Sequence, residues 1–151
     1  MVWRQNRVAT VVLWLLHGCA SGGPPALRAI DHLRSSREIS SDVAYGSVDG
    51  GASVQPAAVP LEYVRLCVAG VVKGLRQAPP SNPGAARALA PRAEEVSRAL
   101  ARLLNETGST FIAVDQTIFR FTVTTTTPPA FACRTPLGTA SFPLSQDPDG
   151  G

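Results

Sequence analysis

Three cysteines, Cys19, Cys67 and Cys133, are the side chains of this 151-residue sequence best suited to covalent chemistry. In an exported protein an odd number leaves one free, lipidated or bonded to another chain. Two bridges compete. Cys19 to Cys67 would close a loop of about 49 residues, worth about 4 kcal/mol in the chain-entropy account. Cys67 to Cys133 is the natural bridge if Cys19 is acylated. The two histidines are His17 and His32. Neither builds a Ser-His-Asp or Cys-His arrangement, and no Cys or His pair has metal-ligand spacing. No Gly-rich phosphate loop follows an expected strand, and Asp49-Gly50-Gly51 reads as a turn. The sequence is read as that of a non-enzyme without metal or cofactor. Asn105-Glu106-Thr107 has the N-glycosylation pattern, which has meaning only on a eukaryotic secretory route. Thr122 and Thr124 to Thr127, before prolines, suit O-glycans or a plain linker equally.

The elements that must position these groups begin with a leader. Arg4 and Arg7 precede the apolar run Val8 to Leu16, and small residues Gly18, Cys19, Ala20 and Ser21 follow. That is the three-part pattern of a signal peptide over residues 1–17, too short to span a bilayer. Its removal takes both tryptophans, Trp3 and Trp14, and leaves 12 basic against 11 acidic residues, which argues against a nucleic-acid partner. No later apolar run reaches membrane-spanning length, so membrane association is expected through a partner, unless Cys19 carries lipid. Lys73 is the lone lysine among many arginines, a bias that reads as a GC-rich genome. Aromatic residues make up 6%, so the core must be built from small side chains.

The expected fold class is α+β: one small secreted domain over residues 18–127, with two or three helices and a few strands, stapled by a disulfide. Leu27, Ile30 and Leu33 recur at helical spacing after Pro24-Pro25, in a helix fading by Ser40-Ser41. Gly46 to Gly51 reads as a turn. Leu61 to Val68, after Pro60, reads as a strand ending near Gly70, with Val71, Val72 and Leu75 in a short helical piece. Ala78 to Gly84 is a loop by composition. Ala85 to Leu104 is the clearest helix, striped by Leu89, Ala93, Val96, Leu100 and Leu103, with Glu94 placed to pair with Arg98 and Gly108 as its stop. Pro91 suggests that this helix starts near position 91. Thr110 to Thr124 alternates with period two, Phe119, Phe121 and Val123 on one face. Residues 128–151, rich in proline, are expected to form an extended or disordered tail.

Two resemblances bear on function. Leu16-His17-Gly18-Cys19 resembles the bacterial lipobox, with His17 where a small residue is usual; it implies an outer-membrane lipoprotein acylated at Cys19. The second covers roughly residues 18–120. Leu27-Arg28-Ala29, His32-Leu33, Ile39-Ser40-Ser41-Asp42 and Val48-Asp49-Gly50 are similar to the N-terminal half of gammaherpesvirus glycoprotein L. Arg65 to Gly70 resembles that family's Cys-x-Asn-Gly segment, with Ala69 in place of Asn. Val96 to Leu104 and Gly108 to Asp115 are similar to its long helix and the turn that follows.

The glycoprotein L resemblance implies a bridge between Cys19 and Cys67, because the family's other bridge has lost both halves together, at Gly18 and Val48. It implies a non-enzymatic subunit that binds membrane-anchored glycoprotein H, assists its folding and export, and with it acts on glycoprotein B and a host receptor in virus entry. The expected location is the secretory pathway, virion envelope and host cell surface, or the bacterial outer membrane if Cys19 is lipidated. Edge chemistry alone nominates Tyr63, Val64 and Leu66, and Phe119, Phe121 and Val123, as residues that meet the partner.

Overall fold

A computed structural model describes residues 33–48, 58–78 and 82–145 of the chain. These residues form an α+β domain in which three helices cover one face of a six-stranded antiparallel sheet. The strands are β1 (Leu33–Ser40), β2 (Val43–Val48), β3 (Ser109–Val114), β4 (Thr117–Thr124), β5 (Ala130–Thr135) and β6 (Gly138–Pro143). They lie side by side in chain order, β1 to β6. Helices α1 (Leu61–Gln77), α2 (Pro83–Leu89) and α3 (Ala93–Thr107) are inserted between β2 and β3, with a 3-10 turn at Ala90–Arg92.

The helix α1 replaces the strand expected over Leu61 to Val68. Its buried residues are Val64, Cys67, Val68, Val71, Val72, Gly74 and Leu75, a stripe at i, i+3, i+4, i+7 and i+8. β-branched residues form a helix here because that stripe lies on the sheet, so packing overrides propensity. Gly70, read as a strand end, is an interior helical position. A methyl group on it would stand 3.2 Å from Thr135 Cγ2, so the glycine permits close approach to the β5–β6 turn.

The long helix expected from Ala85 is divided at Pro91. Pro83 opens α2, Pro91 falls inside the 3-10 turn, and α3 starts at Ala93 with Glu94 and Glu95 in its first turn. Val96, Leu100 and Leu104 are fully buried. Gly108 ends α3 as expected: at φ 72° it is left-handed, and its N–H donates to the Leu104 carbonyl at 2.7 Å.

Four further expectations are corrected. Leu33 to Ser40 is a strand, not the end of a helix; Leu27 and Ile30 lie outside the described residues. Gly46 is inside β2, opposite Phe111, rather than in a turn. The period-two stretch is a hairpin of two strands, turning at Asp115-Gln116 with Asp115 at φ 51°. Residues 130–143, expected in a tail, form β5 and β6, so the domain extends past residue 127. Phe131 and Cys133 supply the apolar side of β5 and are buried at 0% and 1% exposure. The sequence pattern of this hairpin is hidden by its prolines, which sit outside the paired interior.

The core joins α1, α3 and the helix-facing residues of the sheet: Val43 and Tyr45 from β2, Ile112 and Val114 from β3, Phe119 and Phe121 from β4. An aromatic ladder ties α1 to the last strands. Tyr63 stacks on Phe142 with ring centres 4.8 Å apart, Phe142 on Phe131 at 6.0 Å, and Phe131 on Phe121 at 6.4 Å. No helix among the described residues is long and apolar enough to cross a membrane.

Candidate functional site

Cys67 lies on the buried side of α1 and Cys133 on the helix-facing side of β5; they are bonded, with Cα atoms 6.2 Å apart. This corrects the expected bridge from Cys19 to Cys67. Cys67 is 2% exposed and points into the interface between helix and sheet, where β5 brings Cys133 beneath it. With the third cysteine already used, none remains in the chain to pair with Cys19, which lies outside the described residues, as do His17 and His32. Closing 66 residues stabilises the domain by about 4 kcal/mol in the chain-entropy account.

The six residues nominated for partner contact fall into three groups. Val64 and Phe121 are fully buried and Phe119 is 6% exposed, so these three belong to the core and cannot meet a partner of the folded chain. The strand of Phe119 and Phe121 was taken for an edge, but β4 is paired on both sides, with β3 and β5, and Val64 lies on the buried face of α1. Tyr63 and Val123 are half-buried against the same core. Leu66 alone is prominently exposed, at 59%.

Leu66 has a counterpart that sequence reasoning missed. Leu137, at the tip of the β5–β6 turn, is 52% exposed, and it and Leu66 are the large apolar residues that the described fold leaves open. Both flank β6. Positions 63, 66 and 70 share one face of α1. Tyr63 stacks on Phe142 of β6, and Gly70 abuts Thr135 at the start of the turn, so Leu66 stands between them along the rim of β6. The turn holds Leu137 outward: its N–H donates to Thr135 Oγ1 at 3.2 Å, and that hydroxyl donates to the Gly138 carbonyl at 3.0 Å.

The sheet's two outer strands differ. β1 carries Arg37 and Glu38 and has two register irregularities against β2, devices that discourage added strands. β6, Gly-Thr-Ala-Ser-Phe-Pro, carries no charge and is regularly paired with β5 on its one described neighbour. Among the described residues nothing pairs with its other side, which leaves a row of backbone donors and acceptors between two exposed leucines.

On the far side of α1, charged residues tie the helices together. Arg65 holds Glu94 through two nitrogens, the Nε bond at 2.9 Å, and Arg98 reaches the same carboxylate at 2.9 Å. Arg92 grips Glu95, with Arg37 of β1 at 3.7 Å. Hydrogen bonds from Arg65 hold the Glu94 carboxyl below the usual carboxylate range, and those from Arg92 do the same for Glu95. These groups are largely exposed and paired with opposite charges, which suits a solvated network. No group of three or more His, Cys, Asp or Glu among the described residues is arranged to hold a metal ion.

Asn105 is exposed near the end of α3, and its Oδ1 accepts the Val59 N–H at 3.0 Å. Thr107 Oγ1 donates toward the Leu103 carbonyl at 2.8 Å. An N-linked sugar is attached through Nδ2 and leaves Oδ1 an amide carbonyl. The bond to Val59 and a glycan are therefore chemically compatible. Thr124 and Thr126 hydroxyls close the loop before β5, Thr124 Oγ1 accepting the Ala130 N–H at 3.1 Å.

No protein-family model, no curated protein and no solved structure matches this chain.

Proposed function

We propose that the chain is a non-catalytic, exported subunit of the glycoprotein L kind. In this reading it binds glycoprotein H, assists its folding and transport, and takes part with it in glycoprotein B-driven membrane fusion at the virion envelope and host cell surface. The observation that carries the reading is the uncharged β6 edge flanked by Leu66 and Leu137. Such an edge can take an extended segment of a partner by strand addition, the two leucines supplying apolar contact beside it. Support for export comes from the Cys67–Cys133 bridge, since disulfides persist in oxidising compartments. Of the partner residues nominated from sequence this reading keeps Leu66, sets aside Val64, and replaces β4 with β6.

The test is co-expression with a candidate glycoprotein H. The wild-type chain should raise secretion of the complex, and Leu66→Asp with Leu137→Asp should abolish that rise while leaving the melting temperature of the isolated chain unchanged. Unaltered export of both chains on co-expression would sink the proposal.

A second reading, a bacterial outer-membrane lipoprotein, is favoured by one observation: the Cys67–Cys133 bond leaves Cys19 no partner within the chain. Intact-mass measurement of the mature protein separates the two. A diacylglyceryl adduct at Cys19 supports the lipoprotein; an endoglycosidase-sensitive shift at Asn105 supports the secreted glycoprotein.

A further inference from the structure

From Tyr63 to Ala93 the sequence holds no aspartate or glutamate but five cations, Arg65, Lys73, Arg76, Arg87 and Arg92. The first and last are neutralised from α3, where Glu94 takes Arg65 and Glu95 takes Arg92. The middle three are not. Lys73, Arg76 and Arg87 are exposed, and none has an acidic partner among the described residues. Arg76 and Arg87 each lie in the last turn of their helix, where the dipole favours a cation. That preference explains where each is tolerated and leaves its outward charge uncompensated.

The three cations rim a trough in the helical layer. A groove of about 430 Å³ between α1 and the 3-10 turn is lined by Ala69, Val72, Lys73, Arg76, Ala90 and Ala93. A second, of about 260 Å³, lies between the end of α1 and α2, with Arg76, Pro83, Ala86 and Arg87 around it. Arg76 borders both. The floor is apolar and recessed, Val72 being 8% exposed and Ala86 4%, whereas the charges stand at the rim. Alanine at 69, 90 and 93 keeps the groove open, since longer side chains would fill it.

We propose that this trough docks an acidic segment of a partner protein, with one aliphatic side chain seated on the alanine floor and flanking carboxylates held by Lys73, Arg76 and Arg87. Charge complementarity selects the occupant. The two guanidinium forks match carboxylates bidentately, and Lys73 adds a point charge beside them. A lipid surface fits less well, because helices that lie on membranes present protruding apolar side chains, and here the apolar groups sit below the cations. The trough and the β6 edge lie on opposite flanks of α1. Arg65, Ala69, Val72 and Arg76 follow the flank toward α3, and Tyr63, Leu66 and Gly70 the other. The inference therefore does not rest on the glycoprotein L reading, and either can fail without the other.

The test is fluorescence anisotropy of a labelled peptide of alternating aspartate and leucine, titrated with the full chain. Saturable binding that weakens with added salt is expected, with none for the asparagine-leucine or aspartate-glycine counterparts. Lys73→Glu with Arg76→Glu should weaken it by about tenfold. Ala69→Leu, at an exposed position on the groove floor, should also weaken it, whereas Arg120→Glu, which reverses an exposed cation of β4 outside the trough, should leave it unchanged. Absence of binding would overturn the proposal, as would equal loss on Arg120→Glu or no loss on Ala69→Leu. Tighter binding to mixed phosphatidylserine and phosphatidylcholine vesicles, lost in the Lys73→Glu, Arg76→Glu variant, would replace the acidic segment with a membrane. Self-association that the same variant dissolves would replace it with a second copy of the chain, and either result overturns the proposal.

Discussion

Gly74 of α1 sits so close to Pro136 of the β5–β6 turn that a methyl group on its Cα would stand 2.6 Å from the proline Cβ. An interior helical glycine ordinarily costs about 1 kcal/mol relative to alanine. Here the sign reverses, because the facing atoms belong to a rigid ring. Gly74→Ala should destabilise the domain by about 1–3 kcal/mol through overpacking. Gly84, in the first turn of α2, has nothing within 4 Å of that position, so Gly84→Ala should be neutral or slightly stabilising. Thermal unfolding of the two variants checks both.

Reduction, or Cys133→Ala with Cys67→Ala, should lower stability by about 2–5 kcal/mol. Proteolytic mapping without reductant should recover a peptide linking Cys67 to Cys133; a linkage between Cys19 and Cys67 would contradict the fold described.

Thr110 is fully buried and its hydroxyl has no hydrogen-bond partner among the described residues. An unsatisfied buried polar group is a cost that an apolar isostere removes. Thr110→Val should raise stability by about 1 kcal/mol, seen as a higher denaturant midpoint with an unchanged slope.

Asn105→Ala removes the acceptor of the Val59 N–H and should cost about 1 kcal/mol. Measured after endoglycosidase treatment of both proteins, the difference should persist, which separates the structural bond from any effect of a sugar.

The Glu94 and Glu95 carboxyls are held below their ordinary range by Arg65 and Arg92. Their contribution is thus complete above the usual carboxylate range and lost as pH falls through the depressed values. Glu94→Gln should lower stability slightly at neutral pH and flatten the acid limb of the stability curve, with little difference from wild type once the wild-type carboxyl is protonated. Salt should shrink the neutral-pH difference.

The parts of the fold legible in the sequence were those whose local pattern and tertiary role agree. Val96, Leu100 and Leu104 mark α3, and Gly108 marks its end. Phe119 and Phe121 mark one face of β4. Elsewhere a residue type carried the wrong message. Val64, Val68, Val71 and Val72 have strand propensity but helical spacing, and Gly70 looks like a break when it is a point of close packing. β1 has little apolar alternation and exists because β2 pairs with it. The disulfide could not be chosen from spacing, since it required α1 and β5 to be in place first. Leu137 was hidden inside a stretch taken for a tail, so the surface it makes with Leu66 had no local signature.

The sheet runs in chain order, and this sets the sequence in which its ladders can close. β3 to β6 are joined by short turns, whereas Ser47 pairs with Thr110 and Val43 with Val114 only after all three helices have intervened. Closing so long a loop is entropically slow, while nearest-neighbour hairpins form fast. Loop closure on this scale predicts that the β1–β2 hairpin docks late, as a flap on a body of helices and four strands, and pulsed hydrogen exchange should show the β2 amides protected after those of β4 and β5.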